Sequence, residues 1–269
     1  MSNKTSKVTI KDIAREAGVS VATVSYVINN RTDLRISEET RRKVLQVINL
    51  LNYSPNQAAQ ALAGKKRQVY AFSYFRSDSP MKKASQLQTL EYLTEYFRKR
   101  DCECIILNSD QPDKCDQADA IICYDVPSEY FYRLGDCNSI PLIALDCFIN
   151  DSLFFQINSD PERLKREAAE FFRGESYLFV AFGTKNHEKE MFLRRNFKDL
   201  FFINEADALS DITEENILTT DPVIAEILGR DHNVLLLPSV TEEKADLLLR
   251  CIQLAYDRDD SISQHDLYL

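Results

Sequence analysis

Three apolar stripes at helical spacing are crowded into the first fifty-one residues, and this crowding constrains the chain more than any other feature. Thr9 and Asp12 place a hydroxyl and a carboxylate where a helix begins, and Ile10, Ile13, Ala14 and Ala17 then recur three or four residues apart until Gly18 stops the pattern. Ser20 opens a second helix, whose stripe is Val21, Val24, Val27 and Ile28. After a polar stretch, Ser37-Glu38-Glu39 supplies a cap and an acidic first turn, and Val44, Leu45, Val47, Ile48 and Leu51 form a third stripe. Three such helices can close one small core. Ser54-Pro55 and Gly64 bracket a fourth helix of about two turns, too short to be stable alone in water.

The charge divides at the same place. Residues 1–68 carry 12 Lys and Arg against 5 Asp and Glu, and the remainder carries 21 against 37, so a segment of charge +7 precedes one of −16. A basic reader of nucleic acid joined to an acidic body fits this asymmetry, although the whole chain has a net charge of −9. With 44% hydrophobic residues in 269, the chain has enough apolar material for a small domain and one or two larger ones. Its longest apolar runs, such as Tyr177 to Phe182, fall far short of a bilayer span, and the polar start Met1 to Lys7 is unlike a signal peptide, so the cytoplasm is expected.

Seven cysteines, at 102, 104, 115, 123, 137, 147 and 251, show no CxxC spacing and sit mostly in or beside apolar runs. Buried reduced thiols fit better than a disulfide frame or a metal site. The three histidines are isolated, and neither metal nor cofactor is expected.

From Val69 the texture changes to apolar runs alternating with helical patterns, the pattern of a mainly parallel sheet with crossover helices. Strands are expected at 69–75, 102–107, 120–124, 142–145, 177–182, 200–203 and 234–237, and helices at 84–99, 161–172 and 241–256.

The run Thr9-Ile10-Lys11-Asp12-Ile13-Ala14-Arg15-Glu16-Ala17-Gly18-Val19-Ser20, followed by Thr23-Val24-Ser25 and Asn29, closely resembles the LacI/GalR family of bacterial regulators. The resemblance continues through Ser37-Glu38-Glu39-Thr40-Arg41, through 51–56 and through Ala61-Leu62-Ala63-Gly64. It implies an all-α helix-turn-helix DNA-binding domain at 1–53, a hinge helix and linker at 54–68, and an α/β body at 69–269. The body is expected to be two-lobed and periplasmic-binding-protein-like (type 1), with a compressed second lobe, because the chain ends at Leu269 before the family's last strand and helix would be complete.

Residue by residue, the resemblance places Val21, Ala22 and Tyr26 where base edges are read in the major groove. Val21 and Ala22 can meet only thymine methyls or exclude other groups, and the Tyr26 hydroxyl can make one hydrogen bond. Thr9, Ser20, Thr23, Ser25, Asn29, Ser37 and Thr40 match positions that hold the phosphate backbone, and helix starts suit anions because their N–H groups are unpaired. Asn56, Ala59, Leu62 and Ala63 match the hinge, with Leu62 as the wedge into a central minor-groove step. In the body, Asp146 and Arg194 match effector-binding positions. Plainer roles stand beside these: Val21 in the helix core, Tyr26 as a surface aromatic, the hydroxyls as helix caps, Leu62 packed on the body and Asp146 capping a strand end.

The implied function is a transcription regulator, by the family's habit a repressor, that binds a near-palindromic double-stranded operator as a homodimer and responds to a sugar-like effector. Two other readings compete. One is a DNA-binding regulator whose body is a ligand-independent dimerisation or docking module, because the departures from the family pattern fall where the effector cleft should be. The other is an enzyme carrying a DNA-binding segment, against which stands the absence of GxxxxGK, GxSxG, HExxH and GxGxxG from the sequence.

Overall fold

The computed structural model describes residues 8–28, 36–51, 68–107, 112–257 and 264–269, and the fold is given for those residues. They fall in two units, Met1–Lys66 and Arg67–Leu269. The first unit contains helices α1 (Ile10–Ala17), α2 (Val21–Ile28) and α3 (Glu38–Leu50). The N–H and hydroxyl of Thr9 both donate to the Asp12 carboxylate, at 2.9 and 2.7 Å, and fix the start of α1. Gly18 ends it in the left-handed region at φ +65°, a conformation that costs residues with a Cβ about 1–2 kcal/mol. From there Val19 donates its N–H back to the Ala14 carbonyl at 3.0 Å, which turns the chain sharply into α2.

Ile13, Ala14, Ala17, Val24, Val27, Val44 and Val47 form the core of this unit. Two residues of the expected stripes are displaced, Val21 at 41% exposure and Leu45 at 44%. A helix turns 100° per residue, so a face built on Val44, Val47, Ile48 and Leu51 leaves Leu45 to one side. Asn29 and the expected hinge helix with Asn56, Ala59, Leu62 and Ala63 lie outside the described residues.

The second unit holds two parallel sheets. Its elements, in chain order, are β1 (Val69–Tyr74), α4 (Pro80–Arg98), β2 (Glu103–Ile106), β3 (Ala120–Tyr124), α5 (Ser128–Cys137), β4 (Leu142–Leu145), β5 (Gln156–Asn158), α6 (Pro161–Phe171), β6 (Leu178–Phe182), α7 (His187–Asn196), β7 (Leu200–Ile203), a 3₁₀ turn (Ala206–Asp211), β8 (Asn216–Thr219), α8 (Pro222–Leu228), β9 (Asn233–Leu236), α9 (Glu242–Asp257) and β10 (Asp266–Tyr268). One sheet has the order β10-β5-β4-β3-β1-β2 and the other β7-β6-β8-β9. All recorded pairings are parallel.

Alternation along each strand feeds both faces of each sheet. In the first lobe Tyr70, Phe72, Ile122, Ile143 and Leu145 pack with Leu93 and Phe97 of α4 and with Leu248 and Ile252 of α9. Their neighbours Ala71, Ile121, Cys123, Leu142 and Ala144 face the other way, onto Phe131 and Leu134 of α5. In the second lobe Val180 and Ile217 pack with Ile224 and Leu228 of α8, whereas Phe179 and Leu218 pack with Leu164 and Ala168 of α6. Five of the seven cysteines are buried as free thiols, Cys104 is half-buried and Cys137 exposed.

The strands read from apolar runs agree with the fold to within a residue or two, but several elements had no such signature. β5, β8, β10, α5, α7 and α8 were not anticipated, and α4 begins at Pro80 rather than Ala84. The last residues do form a strand, with Leu267 beside Ile157. No helix among the described residues is long and apolar enough to cross a membrane.

Ile13 is 0% exposed. Ile13→Ala should therefore destabilise the first unit by about 2–4 kcal/mol. The expected readout is faster amide exchange throughout α1, α2 and α3 with β1 and β3 unaffected; unchanged exchange in those helices would contradict the packing described.

Candidate nucleic-acid interface and cleft

The two faces of α2 differ in kind. Val24 and Val27 are buried, whereas Val21 is 41% exposed, Ala22 is exposed and Tyr26 is half-buried. Ala22 and Tyr26 lie one turn apart on the same side, so the three residues expected to read bases share a surface. The core role for Val21 is not the one it takes.

Both outer helix starts use the same device. The Ser20 hydroxyl accepts the Thr23 N–H at 3.0 Å and pairs with the Thr23 hydroxyl at 2.8 Å. Ser37 accepts the Thr40 N–H at 3.1 Å and pairs with the Thr40 hydroxyl at 2.8 Å. Each cap uses one of the unpaired N–H groups of the first turn and leaves the remaining ones free to meet an anion. Thr9 differs, because its hydroxyl already serves Asp12, which Arg15 also holds at 2.8 Å. The Thr9 hydroxyl and N–H, aided by Arg15, keep the Asp12 carboxyl below its ordinary pKa. Ser25, half-buried, lies on the side of α2 next to Val24.

In the second unit, the carboxyl ends of both sheets converge on a cavity of about 90 Å³. Strand order reverses between β1 and β3 in one sheet and between β6 and β8 in the other, and such switch points open a crevice at the strand ends. Asp125 follows β3, Asp146 follows β4, Asn158 ends β5 and Asp221 follows β8, so all four reach the cavity.

The structure brings Asp146 to this cavity, but its carboxylate is already engaged. Lys244 of α9 donates to Asp146 Oδ1 at 2.8 Å and to the Ser159 hydroxyl at 3.1 Å, with both partners of the ion pair buried. Burial pushes the Lys244 ammonium below its ordinary pKa against the pull of Asp146. Arg194 is not brought to the cavity. It pairs along α7 with Glu190 at 2.8 Å, stacks over Phe202 and is more than half exposed.

Asp125 is the centre of a second cluster, missed from the sequence. Lys82 lies 2.5 Å from one carboxylate oxygen, and Thr184 (2.8 Å) and Lys189 (3.7 Å) lie near the other. Burial raises the Asp125 carboxyl, but Lys189, Lys82 and Thr184 outweigh it and hold it below its ordinary value. Asp221 caps α8 by accepting the N–H groups of Val223 and Ile224 and also accepts the Ser85 hydroxyl. Burial is the larger effect there and raises its pKa. No local pattern announced these pairs: Lys82 and Asp125 are 43 residues apart, Asp125 and Thr184 59, and Ser85 and Asp221 136.

Lys244→Met should leave Asp146 buried without its counter-ion and destabilise the body by about 3–5 kcal/mol. Adding Asp146→Leu should recover most of that loss. Urea unfolding measures both, and a double variant no more stable than the single one would contradict a tightly coupled pair.

Residues 9–56 match the family described as bacterial regulatory proteins, lacI family. The chain is 53% identical over 64 residues to catabolite control protein A of Streptococcus mutans, covering 24% of this chain and 19% of that protein. It is 33% identical over 180 residues to the catabolite repressor/activator of Escherichia coli K12, covering 60% of this chain and 52% of that one. It therefore spans between a fifth and about half the length of these relatives. A crystal structure of the lac repressor dimer bound to operator and an anti-inducer aligns over 98% of this chain and 96% of that one, at 17% identity and a TM-score of 0.44. Residues 9–56 are thus similar to the DNA-binding segment of the lacI family of bacterial regulatory proteins.

Proposed function

We propose that the chain is a sequence-specific transcription regulator that binds a near-palindromic duplex operator as a homodimer in the cytoplasm. The observation that carries the reading is the division of α2 in a lacI-type segment, with Val24 and Val27 inward and Val21, Ala22 and Tyr26 outward. Val21 and Ala22 offer methyl groups to a base edge and Tyr26 one hydroxyl, so each base is discriminated less sharply than by a bidentate arginine. Ser20, Thr23, Ser25, Asn29, Ser37 and Thr40 serve the phosphates in this reading, and Thr9 does so through its position at the start of α1. Asn56, Ala59, Leu62 and Ala63 form the hinge, with paired Leu62 side chains opening the centre of the site. The reading is of a regulator and not of an enzyme, in keeping with the names of the relatives it resembles.

For the body, one observation favours the ligand-independent alternative over a sugar-responsive one. Asp146 is held by the buried Lys244, and Arg194 lies on the surface of α7 outside the cavity lining, so neither residue assigned to an effector offers a free charge to the cavity. The body then serves to pair two copies and hold their hinges together. Calorimetry with sugars and nucleobases separates the two: heat and a change in operator affinity with any of them would restore the effector.

Selection from a pool of randomised duplexes should yield a two-fold symmetric site with a fixed centre, and an unselected pool would refute the reading. On the selected site, Tyr26→Ala should shift base preference, whereas Thr23→Ala should weaken all duplexes alike. Leu62→Ala should weaken the selected site about tenfold or more relative to nonspecific duplex. Equal losses on both duplexes would count against the wedge.

A further inference from the structure

Asn186, at the start of α7, is fully buried, and all four hydrogen-bonding positions of its side-chain amide are used. Its Oδ1 accepts the N–H of Phe148 at 3.2 Å and of Lys189 at 2.8 Å, and its Nδ2 donates to the carbonyls of Val126 and Phe148, each at 2.9 Å. Three of these four bonds cross from the second lobe to the first. Asn186 N–H in turn donates to the Thr184 hydroxyl at 3.0 Å, and that hydroxyl donates to Asp125. Lys82, at the start of α4 in the first lobe, spans the same gap, with its ammonium on Asp125 and on the Gly183 carbonyl at 2.7 Å.

This arrangement differs from an ordinary surface contact in two ways. Asn186 and Asp125 are buried, at 0% and 5% exposure, so their bonds are formed away from competing water. They are also linked through Thr184, which makes the contact one network rather than separate pairs. The carboxylate at the β1/β3 switch point faces ammonium groups and a hydroxyl of the chain itself, where a crevice of this kind ordinarily offers its polar groups to a ligand.

We propose that Asp125 and Asn186 form a latch that clamps the second lobe against the first, so that the body keeps its lobe arrangement through its own side chains without a bound small molecule. The proposal concerns the body alone and stands whether or not the first unit reads DNA. Its consequence is a body whose two lobes move as one, presenting the same surface whatever metabolites are present.

Amide exchange of the full chain, followed by mass spectrometry without added ligand, tests it. The segments 146–149 and 184–190 should exchange slowly in the natural sequence. Asp125→Asn, which keeps an acceptor for Thr184 but removes the charge facing both lysines, should speed both segments about tenfold or more, and Asn186→Ala should do the same without leaving any buried charge unpaired. The amides of β6 and β8 should stay at their original rates in both variants. Fast exchange of the two segments in the natural sequence would overturn the latch. So would unchanged exchange of 146–149 in Asn186→Ala, or acceleration that spreads into β6 and β8, which would make these residues supports of the second lobe's fold instead.

Discussion

Val24 and Val27 are packed to 0% and 3% exposure in one cluster with Ile13, Ala17 and Val44, and that contact fixes the rotation of α2 about its own axis. A helix of eight residues contributes little stability by itself, so its orientation comes from the face it buries. Once the two valines point inward, Val21, Ala22 and Tyr26 have only the outer side to occupy. The left-handed Gly18 performs the other half of the task by turning the chain within three residues, so that α1 and α2 share one core. Recognition of a base edge requires a rigid helix presenting a short, defined set of side chains, and this small core supplies that rigidity.

The two units follow opposite electrostatic logics. In the first, positive charge predominates and polar groups cluster at helix starts, where unpaired N–H groups favour an anion. In the second, a few charges are turned inward. Asp125 and Asp146 end adjacent strands of one sheet, both in the left-handed backbone region, and each meets lysine. Buried charges of this kind add little net stability compared with apolar groups of similar shape, but removing one member alone is costly. They therefore act more as determinants of a particular arrangement than as a source of stability, in keeping with their position at the meeting of two sheets.

What could be read from the sequence followed from how local each signal is. The first unit was legible because its caps, turn glycine and apolar stripes are all encoded within a few residues of one another, and of the stripes Val21 and Leu45 fell outside the core. The long apolar strands were legible for the same reason. β5 and β10 were not, since each has three residues, polar at both ends in β5, and gains its place only by pairing with a distant partner. α7 has no fully buried residue and so shows no clean stripe, whereas α5 has only the short one of Tyr130, Phe131 and Leu134, followed at once by the helix-weakening Gly135. Asp146 was legible as a cleft residue, but its partner Lys244, 98 residues later, was not. Arg194 had the right chemistry at a helix position whose nearest carboxylate is its own neighbour Glu190. A cleft assembled from strand ends is a product of topology, and topology is the level at which a single sequence says least.

The most direct test of the central claim is a binding titration of the full chain on a duplex bearing its selected site and on a shuffled duplex of the same composition, repeated across salt. The account predicts that both affinities fall with salt, through the shared phosphate contacts, while the selected site stays about a thousandfold or more tighter. Equal affinity for the two duplexes at moderate salt would mean that the outward face of α2 does not read sequence, and the account would fail.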